Sequence, residues 1–222
     1  GGVSSLYDQL EDVQYFEDEL HAAVMAAEDA GTYVMVHVYV PEAIRRAIRA
    51  GVKSIEHGQL IDEPTMKLIA EKGVWLSMQP FIGEGNNHYT NPVQQAKHEL
   101  VVQGTDRAYQ LAKKYGVKLA WGTDLLFSPA NARNQNLNIE KMTRWFSNFE
   151  ILKMITHDNA ELLALSGRRN PYPGKLGVIE EGALADLIVV DGNALEDIKV
   201  LTDPGKNMLL IMKDGKIYKN DL

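Results

Sequence analysis

The strongest constraint on the fold is a pattern that occurs four times in the first 124 residues: an apolar, strand-forming run, a polar turn and a helical segment. The apolar runs are residues 33–38, 52–57, 74–78 and 117–121. The helical segments after the first three are residues 41–50, 62–72 and 93–115, each followed by a glycine. Glycine commonly ends helices because it adopts a left-handed backbone without penalty. Strands that alternate with helices predict an α/β fold with a parallel sheet.

The end of the chain has a different, strand-rich character. Before this part of the chain, two further helices are predicted at residues 20–30 and 148–165. After residue 174 the apolar runs become short. We predict a strand and turn at residues 176–182, a strand at 185–192, and a hairpin at 209–218 with Asp214-Gly215 at its turn. This tail is too short to bury a core alone, so we expect it to pack as part of a small β-sandwich.

Four strand–helix units fall short of a closed barrel. A (β/α)8 TIM barrel has eight strands and about 250 residues, whereas this chain has 222 residues, including the tail. We therefore predict half of such a barrel over residues 1–173 and a partial β-sandwich over 174–222. A small open sheet is the alternative fold for the same strands. The first residues are Gly1-Gly2-Val3 rather than a methionine, so we expect the chain to have been trimmed or truncated at its front.

Composition excludes several classes of partner. The formal net charge is −7, which argues against nucleic acid and anionic membranes as partners. The chain has no cysteine, so disulfides and thiolate metal sites are excluded, although the compartment stays open. No apolar run reaches the roughly 18 residues that a membrane-spanning helix needs.

Three potential metal ligands lie where predicted strands end. His37, His57 and Asp124 each close, or directly follow, an apolar run, and parallel α/β folds build their sites at the carboxyl ends of strands. Two imidazoles and a carboxylate suit Zn²⁺ or a similar divalent ion. The alternative is that each histidine caps its strand or bonds a nearby carbonyl group.

Four motifs follow one another in order along the chain. They are Val36-His37-Val38-Tyr39 with the helix after Pro41, Ser54-Ile55-Glu56-His57-Gly58, Trp121-Gly122-Thr123-Asp124, and residues 174–189. Together they resemble the motifs of imidazolonepropionase-like, metal-dependent amidohydrolases, in particular their prolidase-like group. This resemblance implies the C-terminal half of the barrel, with strands five to eight.

The resemblance also implies the chemistry of the site. The family holds one or two divalent ions, with Zn²⁺ favoured, and His37 and His57 would bind the same ion. Asp124 would be both a metal ligand and a proton shuttle. A metal-bound hydroxide would cleave an amide bond of a dipeptide or N-acyl amino acid, or else of a cyclic amide. Tyr39 resembles a tyrosine of the family that reaches the substrate carbonyl. The alternative is that Tyr39 only packs at the rim of the barrel. His88, in a Gly/Asn-rich loop, is a further candidate substrate contact.

Some family features are missing, and other residues are expected outside the site. No His-x-His pair occurs in the 222 residues, and the bridging lysine of the family would precede Gly1. Half a barrel exposes sheet edges, so we expect a homo-oligomer or pairing with a chain that supplies the missing half. Strand alternation predicts that Glu56 points away from the site. His98, which lies beside Lys97 and Glu99 in the long helix, is expected on a solvated helix face.

Overall fold

Four parallel strands run in chain order through the first half of the computed structural model, which describes residues 1–83, 89–125 and 129–222. The strands pair in the order β1-β2-β3-β4. The elements are α1 (Glu17–Asp29), β1 (Met35–Val38), α2 (Pro41–Ala50), β2 (Ser54–His57), α3 (Glu63–Lys72), β3 (Trp75–Met78), α4 (Pro92–Tyr115) and β4 (Leu119–Trp121). Together with residues 165–169 they form one unit, Gly1–Gly122.

One face of this sheet carries a row of aliphatic side chains. The register aligns Val36 with Ile55, Ile55 with Leu76, and Leu76 with Leu119. Ile55 and Leu76 are fully buried, and Ile44 of α2 lies beside them next to Gly58. Burial of each such side chain contributes about 1.5–3 kcal/mol, so this row fixes which face of the sheet the helices cover.

The helix ends follow the signals in the sequence. Asp62 accepts a hydrogen bond from the Thr65 backbone N–H and so caps α3, and Asn91 caps α4 in the same way. Gly51 ends α2 with φ 99° and Gly116 ends α4 with φ 62°, a left-handed conformation that favours glycine. The predicted strands and helices of this unit are confirmed to within a few residues.

The second unit comprises Thr123–Ala164 and Asn170–Leu222. Its strands β5 (Leu187–Val190), β6 (Met208–Lys213) and β7 (Lys216–Asn220) form an antiparallel sheet in that order. Asp214 and Gly215 both have positive φ values, 48° and 72°, as a type I′ hairpin turn requires. Its α-helices are α5 (Pro129–Ala132), α6 (Leu137–Lys141), α7 (Asn148–Lys153), α8 (Asn159–Ala164) and α9 (Pro204–Asn207).

Three details of the second half differ from the sequence prediction. Residues 176–182 form no strand. The helix predicted at 148–165 is interrupted by a π-helical turn, Met154–Asp158, between α7 and α8. Short 3₁₀ helices add to the predicted elements at Met142–Arg144, Gly167–Arg169 and Ile198–Leu201. Such single-turn elements lack the length over which hydrophobic periodicity becomes visible.

Within the described ranges, none of the helices combines the length and apolarity that a bilayer crossing requires.

Candidate metal centre

Three aromatic side chains from β1 and β2 meet at the carboxyl ends of these strands. The ring centroids of His37 and His57 are 4.5 Å apart, at an interplanar angle of 80°. Tyr39 stacks on His57 with centroids 4.9 Å apart, and meets His37 edge-on at 5.1 Å. The structure therefore brings together the two histidines that the sequence singled out, with the tyrosine beside them.

An unusual backbone conformation at His57 makes this cluster possible. The register pairs His57 with Val38, and Glu56 with His37, so regular alternation would put His57 on the opposite face from His37. The φ angle of His57 is 78°, which turns its side chain out of the strand alternation and toward His37. The prediction that Glu56 points away from the His37 face was wrong, because it assumed that His57 has a regular strand backbone.

A buried amide orients the His57 ring. The Nδ1–H of His57 donates to Oε1 of Gln79, 2.7 Å away, and the same oxygen accepts a longer bond of 3.4 Å from Gln59 Nε2. Nδ1 therefore carries the proton, which leaves the lone pair on Nε2. Burial lowers the pKa of His57 to about 4, and the neighbouring His37 contributes to this shift in second place. The hydrogen bond to Gln79 acts in the opposite direction and raises the pKa, but its effect is smaller. The ring is accordingly neutral at neutral pH.

A backbone carbonyl holds the His37 ring. Its Nε2 lies 2.8 Å from the carbonyl oxygen of Gly1. A carbonyl can only accept, so Nε2 is the donor, and in the neutral ring the lone pair is on Nδ1. The His37 side chain is solvent-exposed, whereas His57 is only 5% exposed.

The histidine pair fits two ligands of a divalent ion. In each neutral ring one nitrogen is held by a neighbouring acceptor and the other keeps its lone pair, the arrangement that metal-binding histidines show. No third carboxylate or imidazole of the described residues in this unit joins the pair at ligand distance. The described residues of this unit therefore offer two imidazole nitrogens here and no third potential ligand beside them.

The other predicted site residues have different surroundings. Tyr39 is 3% exposed and packs against Val3, Leu10 and Val101 as well as His57. Asp124 comes three residues after the end of β4, belongs to the second unit, is solvent-exposed, and has a φ angle of 51°. His88 lies outside the described residues, so its predicted substrate contact stays a prediction.

The structure also reveals polar residues that the sequence did not single out. The prediction of a solvated face for His98 was wrong, because its side chain is buried, and the neighbouring Lys97 is buried as well. The His98 ring contacts the rings of Phe81 and Tyr89, with centroid distances of 6.0 and 5.6 Å. Gln79 was also missed, although its place directly after β3 is the signal that could have identified it.

A second cluster of potential ligands lies on the π-helical turn and α8. His157, Asp158 and Glu161 bring one ligand atom each within 4.8 Å of the others. The Asp158 carboxylate already pairs with Lys153 and accepts a 3.0 Å hydrogen bond from His157 Nδ1. Its charge is therefore compensated within the chain, and the cluster is a surface ion-pair network.

Comparison with known proteins decides the family. The family model of the amidohydrolase family matches residues 1–218. The chain belongs to the amidohydrolase family. It is 33% identical over 223 residues to the ochratoxinase of Aspergillus niger, a match that covers 99% of this chain and 45% of that protein. The chain thus spans about half the length of the curated relatives it matches first.

Solved structures agree with this assignment. A crystal structure of a prolidase complexed with N-methylphosphonate-L-proline matches at a TM-score of 0.87 and 36% identity, covering 99% of this chain and 53% of that one. A crystal structure of a Xaa-Pro dipeptidase with bound methionine matches at a TM-score of 0.78 and 31% identity, covering 94% of this chain and 50% of that one. The chain therefore has about half of an amidohydrolase fold, which confirms the predicted barrel part over the small open-sheet alternative. Members of this family are typically metal-dependent.

Proposed function

We propose that this chain is the C-terminal half of a metal-dependent hydrolase that cleaves the amide bond of a dipeptide or an N-acyl amino acid. The observation that carries the proposal is the His37–His57 pair, with ring centroids 4.5 Å apart and with each ring held through one nitrogen. Neutral imidazoles oriented in this way are suited to hold a divalent ion.

His37 Nδ1 and His57 Nε2 are the atoms that would hold the ion, with Zn²⁺ as the leading candidate and Asp124 as a further ligand. A divalent ion there would supply Lewis-acid polarisation of the amide carbonyl and of the attacking water. The low pKa of His57 supports this role, because only the neutral ring can ligate.

Two further residues of the chain would handle the proton and the developing charge. The Asp124 carboxylate would take the proton from the attacking water and pass it to the leaving amine, which makes it the general base and then the general acid. The Tyr39 hydroxyl would donate a hydrogen bond to the carbonyl oxygen as negative charge develops there. His88 is proposed to contact the substrate.

The proposed substrate class follows from the relatives. The prolidase relative binds N-methylphosphonate-L-proline, and the Xaa-Pro dipeptidase relative binds methionine. A small substrate with an amino-acid leaving group is therefore favoured over a cyclic amide, which stays the alternative substrate.

The proposal is tested by metal content and hydrolysis. We expect H57N and H37N to lose bound Zn²⁺, and D124N to lose hydrolysis of Xaa-Pro dipeptides and N-acetyl amino acids by about 100-fold or more. The matched control is H157N, which removes a histidine of the surface ion-pair network and should change neither quantity. Full hydrolysis by H57N would contradict the proposed centre.

One observation favours a second possibility, that the chain acts only when it is paired with a front-half polypeptide. A groove of about 540 Å³ runs along β1 and is lined by Val34, Val36, Val38 and Leu20, with Gly1 and Tyr15 at its side. β1 is an edge strand, and unpaired apolar edges associate with other chains. If the chain acts only in such a pair, the isolated chain would bind little metal and show no hydrolysis. Metal binding and hydrolysis would both appear when a front-half polypeptide is added.

A further inference from the structure

Helix α4 buries a lysine among backbone carbonyl groups. The Lys97 side chain is 4% exposed, and its Nζ donates to the carbonyl oxygens of Gly2 (2.7 Å), Ser5 (2.6 Å) and Asp8 (3.0 Å). An ammonium group has three N–H donors, so these bonds use all of them. Lys97 therefore has no donor left for a substrate, and its role must be exerted through the segment it binds.

The bound segment, residues 1–10, is held against α4 by other contacts as well. Gln94, one helical turn before Lys97, donates from Nε2 to the Ser4 carbonyl over 2.6 Å. Within the segment, the Gly2 N–H donates to Asp8 Oδ2 over 2.9 Å. The segment thus curves around the ammonium group, with its carbonyl groups turned inward.

This curvature fixes the carbonyl group that orients His37. The carbonyl of Gly1 accepts from His37 Nε2, and the next carbonyl along the chain, that of Gly2, accepts from Lys97. Two successive peptide units, joined at the Gly2 Cα, therefore link the two side chains. Gly1 also packs directly against the segment, because a Cβ there would be 1.5 Å from the Gln9 carbonyl oxygen.

We propose that Lys97 is a positioning residue for the metal centre: by binding the segment at Gly2, Ser5 and Asp8, it presents the Gly1 carbonyl to His37 and so keeps the proton of His37 on Nε2 and the lone pair on Nδ1. This inference rests on the proposed function, which makes His37 a ligand. Charge-assisted hydrogen bonds are about twice as strong as neutral ones, which explains why a lysine serves this purpose.

The test compares three variants of the chain by ring ¹H–¹⁵N spectra, which report the tautomer of each histidine, and by Zn²⁺ titration. K97M removes the ammonium group. D8A loosens the same segment through the Gly2 N–H but leaves Lys97 in place. K113M removes an exposed lysine of the same helix and is the matched control. In the unchanged chain we expect the Nε2–H tautomer for His37 and the Nδ1–H tautomer for His57.

In K97M and D8A we expect His37 to become a mixture of tautomers and Zn²⁺ affinity to fall by about 10-fold or more, while the His57 signals stay the same. K113M should match the unchanged chain. An unaltered His37 tautomer in folded K97M would overturn the inference. An unaltered tautomer in D8A would overturn it as well, whether or not K97M folds, because the loosened segment would then not set the position of the His37 proton. A tautomer change in a chain that never binds Zn²⁺ would instead refute the proposed function and leave the positioning role intact.

Discussion

At the scale of single residues, the orienting partner of His57 is a neutral amide. A carboxylate in the place of Gln79 could accept the Nδ1 proton and would favour the charged ring, whereas an amide oxygen only accepts a hydrogen bond. The Gln79 Oε1 atom also receives the Gln59 Nε2–H bond, so its orientation is fixed from a second side. The Gln79 amide thus sets the tautomer and the orientation of the His57 ring, while burial keeps that ring neutral.

The Gln79 contact leads to a prediction. We expect Q79L to weaken Zn²⁺ binding by about 10- to 100-fold, because the His57 ring loses the hydrogen bond that sets its tautomer and orientation. The measurement is competition with a chromophoric chelator. Q110L, at an exposed position of α4, is the control and should leave the affinity unchanged. Equal affinities of Q79L and the unchanged chain would show that Gln79 does not orient a ligand.

At the scale of elements, α4 organises the surroundings of the histidine pair. Its first turns bind the segment 1–10 through Gln94 and Lys97. Further along, it packs against the loop after β2, where a Cβ on Gly104 would lie 2.3 Å from the carbonyl oxygen of Gln59. One helix therefore contacts the chain that holds His37 and the loop that follows His57.

The close approach at Gly104 predicts a measurable cost. We expect G104A to lower the free energy of unfolding by about 1–3 kcal/mol, because the added methyl group must push the Gln59 backbone away. Urea denaturation measures this change. The neighbouring Q103A, at an exposed position, should be nearly neutral. If G104A has the same free energy of unfolding as Q103A, the loop after β2 can move away from the added methyl group without a measurable cost.

A second prediction at this scale concerns the ion pair between α3 and α4. Hydrogen bonds from Lys114 and then Tyr115 lower the pKa of Glu63 from 4.5 to about 2. A lowered folded-state pKa stabilises the fold above the unfolded-state value, and this contribution is lost as pH falls from about 4.5 to about 2. The effect should be small, because the pair is exposed.

The variant E63Q tests this pH dependence. Its urea midpoint should fall below that of the unchanged chain at neutral pH, and the difference should shrink as the pH falls from about 4.5 to about 2, the range over which Glu63 takes up a proton. E71Q, on the same helix, should not show this pattern. A constant E63Q difference at all pH values would rule out the Glu63 carboxylate as its source.

The elements show what a sequence can predict and what it cannot. The strands and the helices up to β4 were predictable because their periodicity, caps and terminal glycines are local signals. The burial of Lys97 was not predictable, because the carbonyl groups that accept its hydrogen bonds lie 89 to 95 residues earlier in the chain. The left-handed backbone at His57 was not visible either, so the direction in which Glu56 points was misjudged. The roles of Asp124, Tyr39 and His88, and the boundary at residue 173, stay predictions.

At the scale of the whole molecule, the chain matches about half the length of its relatives, and one side of its parallel sheet ends at β1. The Met35 side chain of this strand is 51% exposed. An edge strand that is left uncovered presents unpaired N–H and C=O groups to other chains. The β1 edge is therefore the part of the first unit that we expect to associate with another chain.

This expectation is tested by M35K. A lysine on an edge strand opposes pairing, so light scattering should show less self-association, or less binding of a front-half polypeptide, than for the unchanged chain. M25K, on α1, replaces a methionine of nearly the same exposure, 53%, and should have no such effect. If both variants associate equally, the β1 edge is not the contact surface.

The positive φ angle of His57 has an evolutionary consequence. A non-glycine residue in the left-handed region costs about 1 kcal/mol or more, so the fold itself would favour glycine or asparagine at this position. Histidine adopts this region more often than most non-glycine residues do, but we expect that selection for the imidazole is what keeps it in place of glycine. In a lineage released from that selection, residue 57 should drift early toward glycine or asparagine, before the neighbouring core positions change. The identity of this one residue would then mark which descendants still use the centre.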